Sequence, residues 1–273
     1  MAAVRVPAQQ LGVQFGPVHR WEKAMTSRRK FVCSAGTAVA AILLRKLSLA
    51  TKPQDEMLSP LIYPIFEAVY SPRVQGFLPP TGDEKEKVTK IVNATPTGPR
   101  PIDVAQYFVD RFFVHDPMVI SQWPAPQPWN PLIVQFFSAT SSPANNDTVP
   151  WCAAFANWCL KRSNRPFTNS ASSQTFLATT MFETIDAPSE GDLVVFTCYR
   201  KDNGESLNLG HVAFFKKKND DLTFDVVGGN QSGTSPSMIC LKTYPYAPFE
   251  SRRMVGKKYV PVLYKINKYL KVT

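Results

Sequence analysis

The chain has 273 residues, of which 44% are hydrophobic and 19% charged, and this balance indicates a globular rather than a disordered protein. The formal net charge of +10 is unevenly distributed: residues 1–50 hold eight Lys and Arg against one acid, whereas residues 51–273 hold 23 basic and 20 acidic residues. Total charge is therefore no argument for nucleic-acid binding, and we expect no nucleic-acid partner.

Residues 1–50 are predicted to be a leader. Residues 26–32 (Thr-Ser-Arg-Arg-Lys-Phe-Val) resemble a twin-arginine export signal, in which paired arginines precede an apolar run. The run at residues 32–44 has about 13 residues, fewer than the ~20 that a membrane-spanning helix needs. Small residues then predict cleavage after Ala50. The alternative is a short amphipathic or signal-anchor helix, and the pattern leaves open whether translation begins at Met1 or Met25.

The resemblance to an export signal implies a location and a transient partner. It places the mature protein in the periplasm or outside the cell, after passage through the twin-arginine translocase. It also implies no stable insertion in the membrane after cleavage.

Residues 51–140 are predicted to form a helical, proline-rich region. Apolar spacing between the prolines predicts helices at residues 57–69, 83–92, 102–113 and 131–140. Asn130 suits the cap of the last helix, and Pro131 suits its first turn.

The pattern changes in residues 141–273, which are predicted to be a separate domain. A helix at residues 151–162 and a short helix at residues 175–182 come first. Strands follow, with turn residues between them, at residues 193–196, 211–215, 222–227 and 260–266. A helix followed by antiparallel strands predicts an α+β fold.

Cys152 is a candidate nucleophile because it falls in the first turn of the predicted helix. Unpaired N–H groups and the helix dipole favour a thiolate at that position, and Thr148 or Asp147 suits the cap. The alternative is a buried structural cysteine. Cys159 lies two turns further along, about 10 Å away, which is too far for a disulfide and predicts a core residue. The pairing of Cys198 with Cys240 stays open.

His211 is the candidate base, and Asn230 is the candidate group that orients it. His211 follows a glycine and opens an apolar strand, while Asn230 ends the next strand. An imidazole can take the thiol proton, and an amide can hold the ring in the useful tautomer. A core histidine and a plain turn residue are the alternatives. The sequence has no C-x-x-C, H-E-x-x-H or P-loop motif, so we predict neither a metal nor a cofactor.

Four short segments stand out: Pro-Trp-Cys-Ala-Ala-Phe at residues 150–155, Gly-Asp-Leu-Val-Val-Phe at 191–196, Gly-His-Val-Ala-Phe at 210–214 and Gly-Gly-Asn-Gln at 228–231. Together, in this order, they resemble the CHAP and NlpC-type peptidoglycan hydrolases, which are bacterial papain-like cysteine amidases and peptidases. The resemblance implies a papain-like fold, with the cysteine helix packed on an antiparallel sheet. It matches Cys152 to the nucleophile, His211 to the base and Asn230 to the third polar residue. Many CHAP domains carry a glutamate two residues before that asparagine, where this chain has Gly228.

The resemblance also implies the substrate and the reaction. We expect hydrolysis of a peptidoglycan amide through a thioester, by a stem-peptide endopeptidase or an N-acetylmuramoyl-L-alanine amidase that acts as a monomer. The Cys152 N–H would hold the oxyanion, with Asn145 or Asn146 as candidate second donors. Trp151, Trp129 and Tyr199 are expected to line the substrate groove. The alternatives are an inactive wall-binding protein of the same fold and a secreted antibacterial amidase effector.

Overall fold

The computed structural model describes residues 80–272, except 124–128, 143, 145, 232–235 and 256–257. The predicted leader, with its export signal and cleavage site, lies outside the described residues, as does the predicted helix at residues 57–69. Within the described part, no helix is both long enough and apolar enough to cross a membrane.

Five α-helices form in the described residues: α1 (Gly82–Ala94), α2 (Pro101–Phe112), α3 (Pro131–Phe136), α4 (Cys152–Arg162) and α5 (Thr175–Ala178). The predictions for α1, α2 and α4 are confirmed to within two residues at each end. Helix α3 ends earlier than predicted because the chain tightens into a 3-10 turn, Phe137–Ala139.

Local capping explains where the first and third helices begin. The Thr81 hydroxyl accepts the N–H of Glu84, and the Glu84 carboxylate accepts the N–H of Thr81, which together form a capping box. The side-chain oxygen of Asn130 accepts the N–H of Leu132 at 2.9 Å, so the predicted cap of α3 is confirmed.

Among the described residues, seven strands form one sheet, in which every pair is antiparallel. They are β1 (Glu183–Ile185), β2 (Leu193–Arg200), β3 (Ser206–Lys218), β4 (Thr223–Gln231), β5 (Met238–Pro245), β6 (Phe249–Val255) and β7 (Lys258–Lys271). The order is β1-β7-β2-β3-β4-β5, and β6 pairs with β7. Strands β2 to β5 form a meander, of which β2, β3 and β4 were predicted and β5 was not. The predicted strand at residues 260–266 is part of β7, which lies beside β2 rather than at the end of the meander. The fold is α+β.

Strand β3 shows how the sheet divides the apolar residues. Val212 and Phe214 belong to the larger core, which also holds residues of the helices, whereas Ala213 and Phe215 belong to a smaller cluster. Alternate residues of a strand point to opposite faces, so the helices cover one face and the smaller cluster lies on the other.

The predicted boundary at residue 140 does not separate two cores. Ile102 and Phe108 of α2 are fully buried in the same cluster as Trp158 of α4 and Val227 of β4. The Phe108 ring lies 5.9 Å from the Trp158 ring, between centroids. The described helices before residue 140 are therefore part of the domain that holds the candidate site.

Candidate active site

Cys152 lies in the first turn of α4, as the sequence predicts, and is the first residue of the helix, but the helix end is capped differently. Trp151 is the N-cap, and no side chain caps this end. Asp147, a predicted cap, instead accepts the N–H groups of Trp123 at 2.9 Å and Asn130 at 3.0 Å, because it is buried among these loops. The backbone N–H groups of Cys152 and Ala153 hydrogen-bond to the thiol instead, and both lower its pKa.

The thiol lies beside the strand that carries His211. The backbone N–H of Val212, the residue after His211, hydrogen-bonds to the Cys152 sulfur. The β3–β4 ladder runs from Lys218–Phe224 to Phe214–Val227, so residues 211 and 212 lie beyond its last pair. The first turn of α4, with Cys152, packs against β3 just beyond the end of this ladder.

Gly229 allows this packing. A Cβ on Gly229 would overlap the indole ring of Trp151 and stand 2.8 Å from the Cβ of Phe155. A side chain at residue 229 would therefore push the start of α4, and the thiol with it, away from the sheet.

The imidazole of His211 is buried on the opposite face of the sheet from the α4 core, and its side chain is held on two sides. Its ring lies 6.1 Å from the rings of Phe196 and Tyr244, between centroids. Its Nε2 lies 3.0 Å from Oε1 of Gln231. The Gln231 amide nitrogen donates to the carbonyl of Cys240, so the amide oxygen is the atom that faces the ring. This hydrogen-bond network assigns the proton to Nε2 and leaves Nδ1 as the basic nitrogen.

Gln231, rather than Asn230, is therefore the hydrogen-bond partner of the imidazole, which corrects the role predicted for Asn230. Along β4 the register runs from Gly228–Cys240 to Gln231–Met238, three residues against two on β5. This extra residue is a β-bulge, and Asn230 within it has a φ of 56°. The bulge brings Gln231 to the face that simple alternation would give to Asn230. Asn230 borders the same cavity as His211.

Gly228 lies under the Gln231 amide. A Cβ on Gly228 would stand 3.2 Å from Oε1 of Gln231 and 2.8 Å from the Cβ of Ala213. The amide thus fills the space into which a side chain at residue 228 would point.

Burial favours the neutral forms of both Cys152 and His211. It raises the pKa of the Cys152 thiol, against the opposing effects of the Val212 N–H and the positive charge of Arg253. Burial lowers the pKa of His211 to about 4, and the charges of Lys242 and Arg253 add to this, while the Gln231 hydrogen bond opposes it. At neutral pH the site therefore holds a thiol and a neutral imidazole.

Arg253 is a site residue that sequence reasoning missed. It lies on β6, and its Nη1 donates to the carbonyl of Gly210 at 3.2 Å and to the hydroxyl of Tyr264 at 2.6 Å. Gly210 immediately precedes His211, so the guanidinium contacts the backbone next to the histidine. The polar sequence of β6 gave no strand prediction, and nothing local in it pointed to Cys152.

Two cavities open at the site. Cys152 borders a groove of about 550 Å³, together with the loop at residues 170–173. His211 borders a smaller pocket of about 240 Å³. Gly210 and Arg253 border both, so the two cavities meet beside the thiol and the imidazole.

The predicted groove residues are not at this site. Trp129 and Trp151 are 1% and 0% exposed and belong to the core, so the prediction that they contact substrate is wrong. Their large apolar rings are buried by packing, as when Trp151 stacks on Phe136. Tyr199 is half-buried on β2 under the ammonium of Lys265, and it is not among the residues that border either cavity.

The remaining predicted residues have other roles. Asn145 lies outside the described residues, and the side-chain oxygen of Asn146 accepts the N–H of Thr148 at 2.9 Å. Cys159 is fully buried, as predicted, and Cys198 and Cys240 are free thiols. In the described part of the chain, no group of three or more His, Cys, Asp or Glu side chains is placed to hold a metal ion.

Comparison with known families matches residues 144–230 to the model of the CHAP domain. This segment is CHAP-like. The CHAP-like segment contains Cys152, His211 and Asn230 and ends one residue before Gln231. The match indicates an enzyme that hydrolyses peptidoglycan, as an amidase or a peptidase. No curated protein and no solved structure gave a match.

Proposed function

We propose that this protein is an exported cysteine hydrolase that cleaves an amide bond of peptidoglycan through a thioester. One relationship carries the proposal. The Cys152 thiol, at the N-terminus of α4, lies against the backbone N–H of the residue that follows His211. The CHAP match supports the substrate class, and the position of the thiol beside the strand that carries His211 supports these two residues as nucleophile and base.

The reaction begins from the neutral pair. A substrate carbonyl enters the Cys152 groove, and His211 Nδ1 takes the thiol proton as the sulfur attacks the carbonyl carbon. The Cys152 N–H stabilises the oxyanion that forms. Collapse of this intermediate breaks the C–N bond, and the imidazolium gives its proton to the leaving amine. Water, deprotonated by His211, then hydrolyses the thioester and releases the thiol and a carboxylic acid.

Gln231 acts through His211 in this scheme. Its Oε1 lies 3.0 Å from Nε2 of His211 and accepts a hydrogen bond from the Nε2–H group, which fixes the tautomer that leaves Nδ1 basic. Its own orientation is fixed by the carbonyl of Cys240. The triad that we propose is therefore Cys152, His211 and Gln231, in place of the Cys-His-Asn triad predicted from sequence.

The proposed cellular location rests on the predicted leader. The twin-arginine pattern at residues 26–32, followed by small residues up to Ala50, supports export to the periplasm or the medium, where peptidoglycan is accessible. A cysteine at a helix N-terminus, packed on an antiparallel sheet beside the histidine strand, supports a papain-like arrangement.

The test is release of soluble fragments and new amino groups from purified peptidoglycan by the full chain. We expect Cys152→Ala to abolish release and Cys159→Ala to retain it, since the two cysteines share α4 but only Cys152 borders the groove. Equal release by the wild type and Cys152→Ala would remove the thiol from the mechanism. Sedimentation of the protein with cell walls but no release by the wild type would favour the wall-binding alternative. Mass spectrometry of the fragments identifies the bond that is cleaved.

A further inference from the structure

One wall of the Cys152 groove is formed by the loop at residues 168–174, which we call the groove loop. Residues 170–173, Ser-Ala-Ser-Ser, border the groove of about 550 Å³ beside the thiol. Their side chains are small, so the width of the groove depends on where the loop backbone lies rather than on long side chains that can move aside. The contacts that hold this backbone therefore affect what reaches Cys152.

Asn157 holds the first half of the groove loop. It lies on α4, the helix that begins with Cys152, and its side chain is fully buried. Its amide oxygen accepts the N–H of Thr168 at 2.9 Å, and its amide nitrogen donates to the carbonyl of Ser170 at 2.8 Å. Because a buried polar group is costly to leave unpaired, these hydrogen bonds fix the loop relative to the helix.

Gln174 holds the other end of the groove loop. Its amide nitrogen donates to the carbonyl of Phe196 at 3.0 Å, and its amide oxygen accepts the hydroxyl of Thr197 at 2.9 Å, both on β2. Gly210 leaves room for this amide, since a Cβ on Gly210 would overlap the amide nitrogen. Phe196 lies opposite His211 in the β2–β3 register. The groove loop is thus tied at one end to the cysteine helix and at the other to the strand beside the histidine.

We propose that Asn157 and Gln174 are positioning residues, which hold the groove loop as a fixed wall, and that this wall sets the size of the group that reaches Cys152. The proposal rests on the proposed function and deepens it, because it names residues that determine substrate binding. These two described side chains border neither the groove nor the His211 pocket, so they act through the loop. Loss of either anchor should weaken substrate binding more than it slows the chemistry.

The first test follows the thiol and needs no hydrolysis. The full chain is alkylated with iodoacetamide and, separately, with the much larger pyrene maleimide, and peptide mapping by mass spectrometry measures each rate at Cys152. Both reagents attack the same thiolate, so the ratio of the maleimide rate to the iodoacetamide rate reports access rather than the thiol pKa. Asn157→Leu and Gln174→Met keep side-chain size but not the hydrogen bonds. Each should raise this ratio at least about threefold, the factor that corresponds to loss of a net hydrogen bond.

Ser172→Leu should change the ratio in the opposite direction. Ser172 is exposed and borders the groove, so a leucine narrows the groove without entering the core. The ratio should fall below that of the wild type. A value at or above the wild-type ratio would show that the groove loop does not limit access, and this result would overturn the proposal.

Asn130→Leu is the matched control for the two anchors. Asn130 is also buried, and its amide nitrogen donates to the carbonyls of residues 118, 119 and 121. These three residues border neither cavity at the site. The control variant loses a buried amide with several hydrogen bonds, as the anchor variants do, but it should leave the alkylation ratio at the wild-type value.

The second test separates binding from chemistry. With a soluble peptidoglycan fragment as substrate, Asn157→Leu and Gln174→Met should raise KM about tenfold and change kcat by less than about threefold. A variant that is only partly unfolded has fewer active molecules, so its apparent kcat falls while its KM stays the same. The rise in KM therefore distinguishes a positioning role from a role in stability alone.

Two further results would overturn the proposal. One is an alkylation ratio that both anchor variants leave unchanged, and the other is a ratio that Asn130→Leu raises as much as they do. Failure of the proposed function is a separate result: the wild type would release nothing from peptidoglycan, while the anchor variants would still raise the alkylation ratio. Thermal unfolding of each variant sets the temperature at which all are folded for these measurements.

Discussion

The side-chain amide of Gln231 lies over Gly228, with its oxygen 3.2 Å from the point where a Cβ on Gly228 would stand. A side chain at residue 228 and the Gln231 amide would therefore compete for the same space. Gln231 hydrogen-bonds to His211 from this space. The bulge at Asn230 makes this contact possible.

Gln231→Ala should lower kcat by about 100-fold, which is the loss expected when a catalytic group is held in the wrong geometry. Gln231→Glu should retain much more activity, because a carboxylate also accepts the Nε2 proton. It should also shift the acid limb of the kcat/KM profile upward, since a negative charge stabilises the imidazolium. Both effects are measured by steady-state hydrolysis of a soluble peptidoglycan fragment from pH 3 to pH 9.

Asn230→Gly is the control for that experiment. Glycine adopts the φ of 56° at this position without strain, so the bulge and the Gln231 contact should survive and most of the activity should remain. If Asn230→Gly lost as much activity as Gln231→Ala, the orienting role would return to Asn230.

The pH dependence of the wild type should have an unusually low acid limb. The free enzyme needs neutral His211, and burial lowers the pKa of His211 from 6.5 to about 4. We therefore expect kcat/KM to be maintained down to about pH 5 and to fall below it. A limb near pH 6.5 would mean that the imidazole is hydrated in the free enzyme.

The free energy of unfolding should also depend on the protonation of His211. Between pH 6.5 and about 4 the unfolded chain binds a proton at His211 that the folded chain does not, so stability decreases as the pH falls through this range. The free energy of unfolding lost over the whole range amounts to about 3 kcal/mol. Urea unfolding at pH 7 and pH 4.5 should show a smaller loss of stability for His211→Gln than for the wild type. Equal losses in the two proteins would contradict the shift.

The parts of the site that follow from local patterns could be predicted. Cys152 falls at a helix start because an apolar run begins there, and His211 falls on a buried strand because Val212 to Phe215 are apolar. Both assignments depend only on neighbours in the chain, and the structure has both elements.

The parts that depend on irregular or distant structure could not be predicted. Simple alternation of side chains along β4 places Gln231 on the wrong face of the sheet, because no pattern in the sequence predicts the extra residue of the bulge. Arg253 reaches Gly210 only because β6 pairs with β7, which in turn pairs with β2 beside β3. Trp129 and Trp151 were assigned to the groove by residue type, whereas packing decides their burial.

Arg253→Gln should slow alkylation of Cys152 by iodoacetamide. The positive charge of Arg253 lowers the pKa of the thiol, so its removal reduces the thiolate fraction at any pH below that pKa. Peptide mapping by mass spectrometry follows Cys152 separately from the three other described cysteines. Arg252→Gln should react at the wild-type rate, and equal slowing by both variants would indicate a general charge effect rather than a contact at the site.

Gly229→Ala should destabilise the protein by about 1–3 kcal/mol, the usual cost of an extra methyl group in a packed core. The new Cβ would overlap the Trp151 ring and press on Phe155, so the start of α4 must move away from β4. Gly82→Ala is the matched control, because a Cβ at that position has no neighbour within 4 Å and helix α1 favours alanine over glycine. Urea unfolding gives both free energies. Cys152 follows Trp151 directly, so Gly229→Ala should also lower kcat under conditions in which the variant is folded. A folded variant with wild-type kcat would show that the position of the thiol does not depend on this contact.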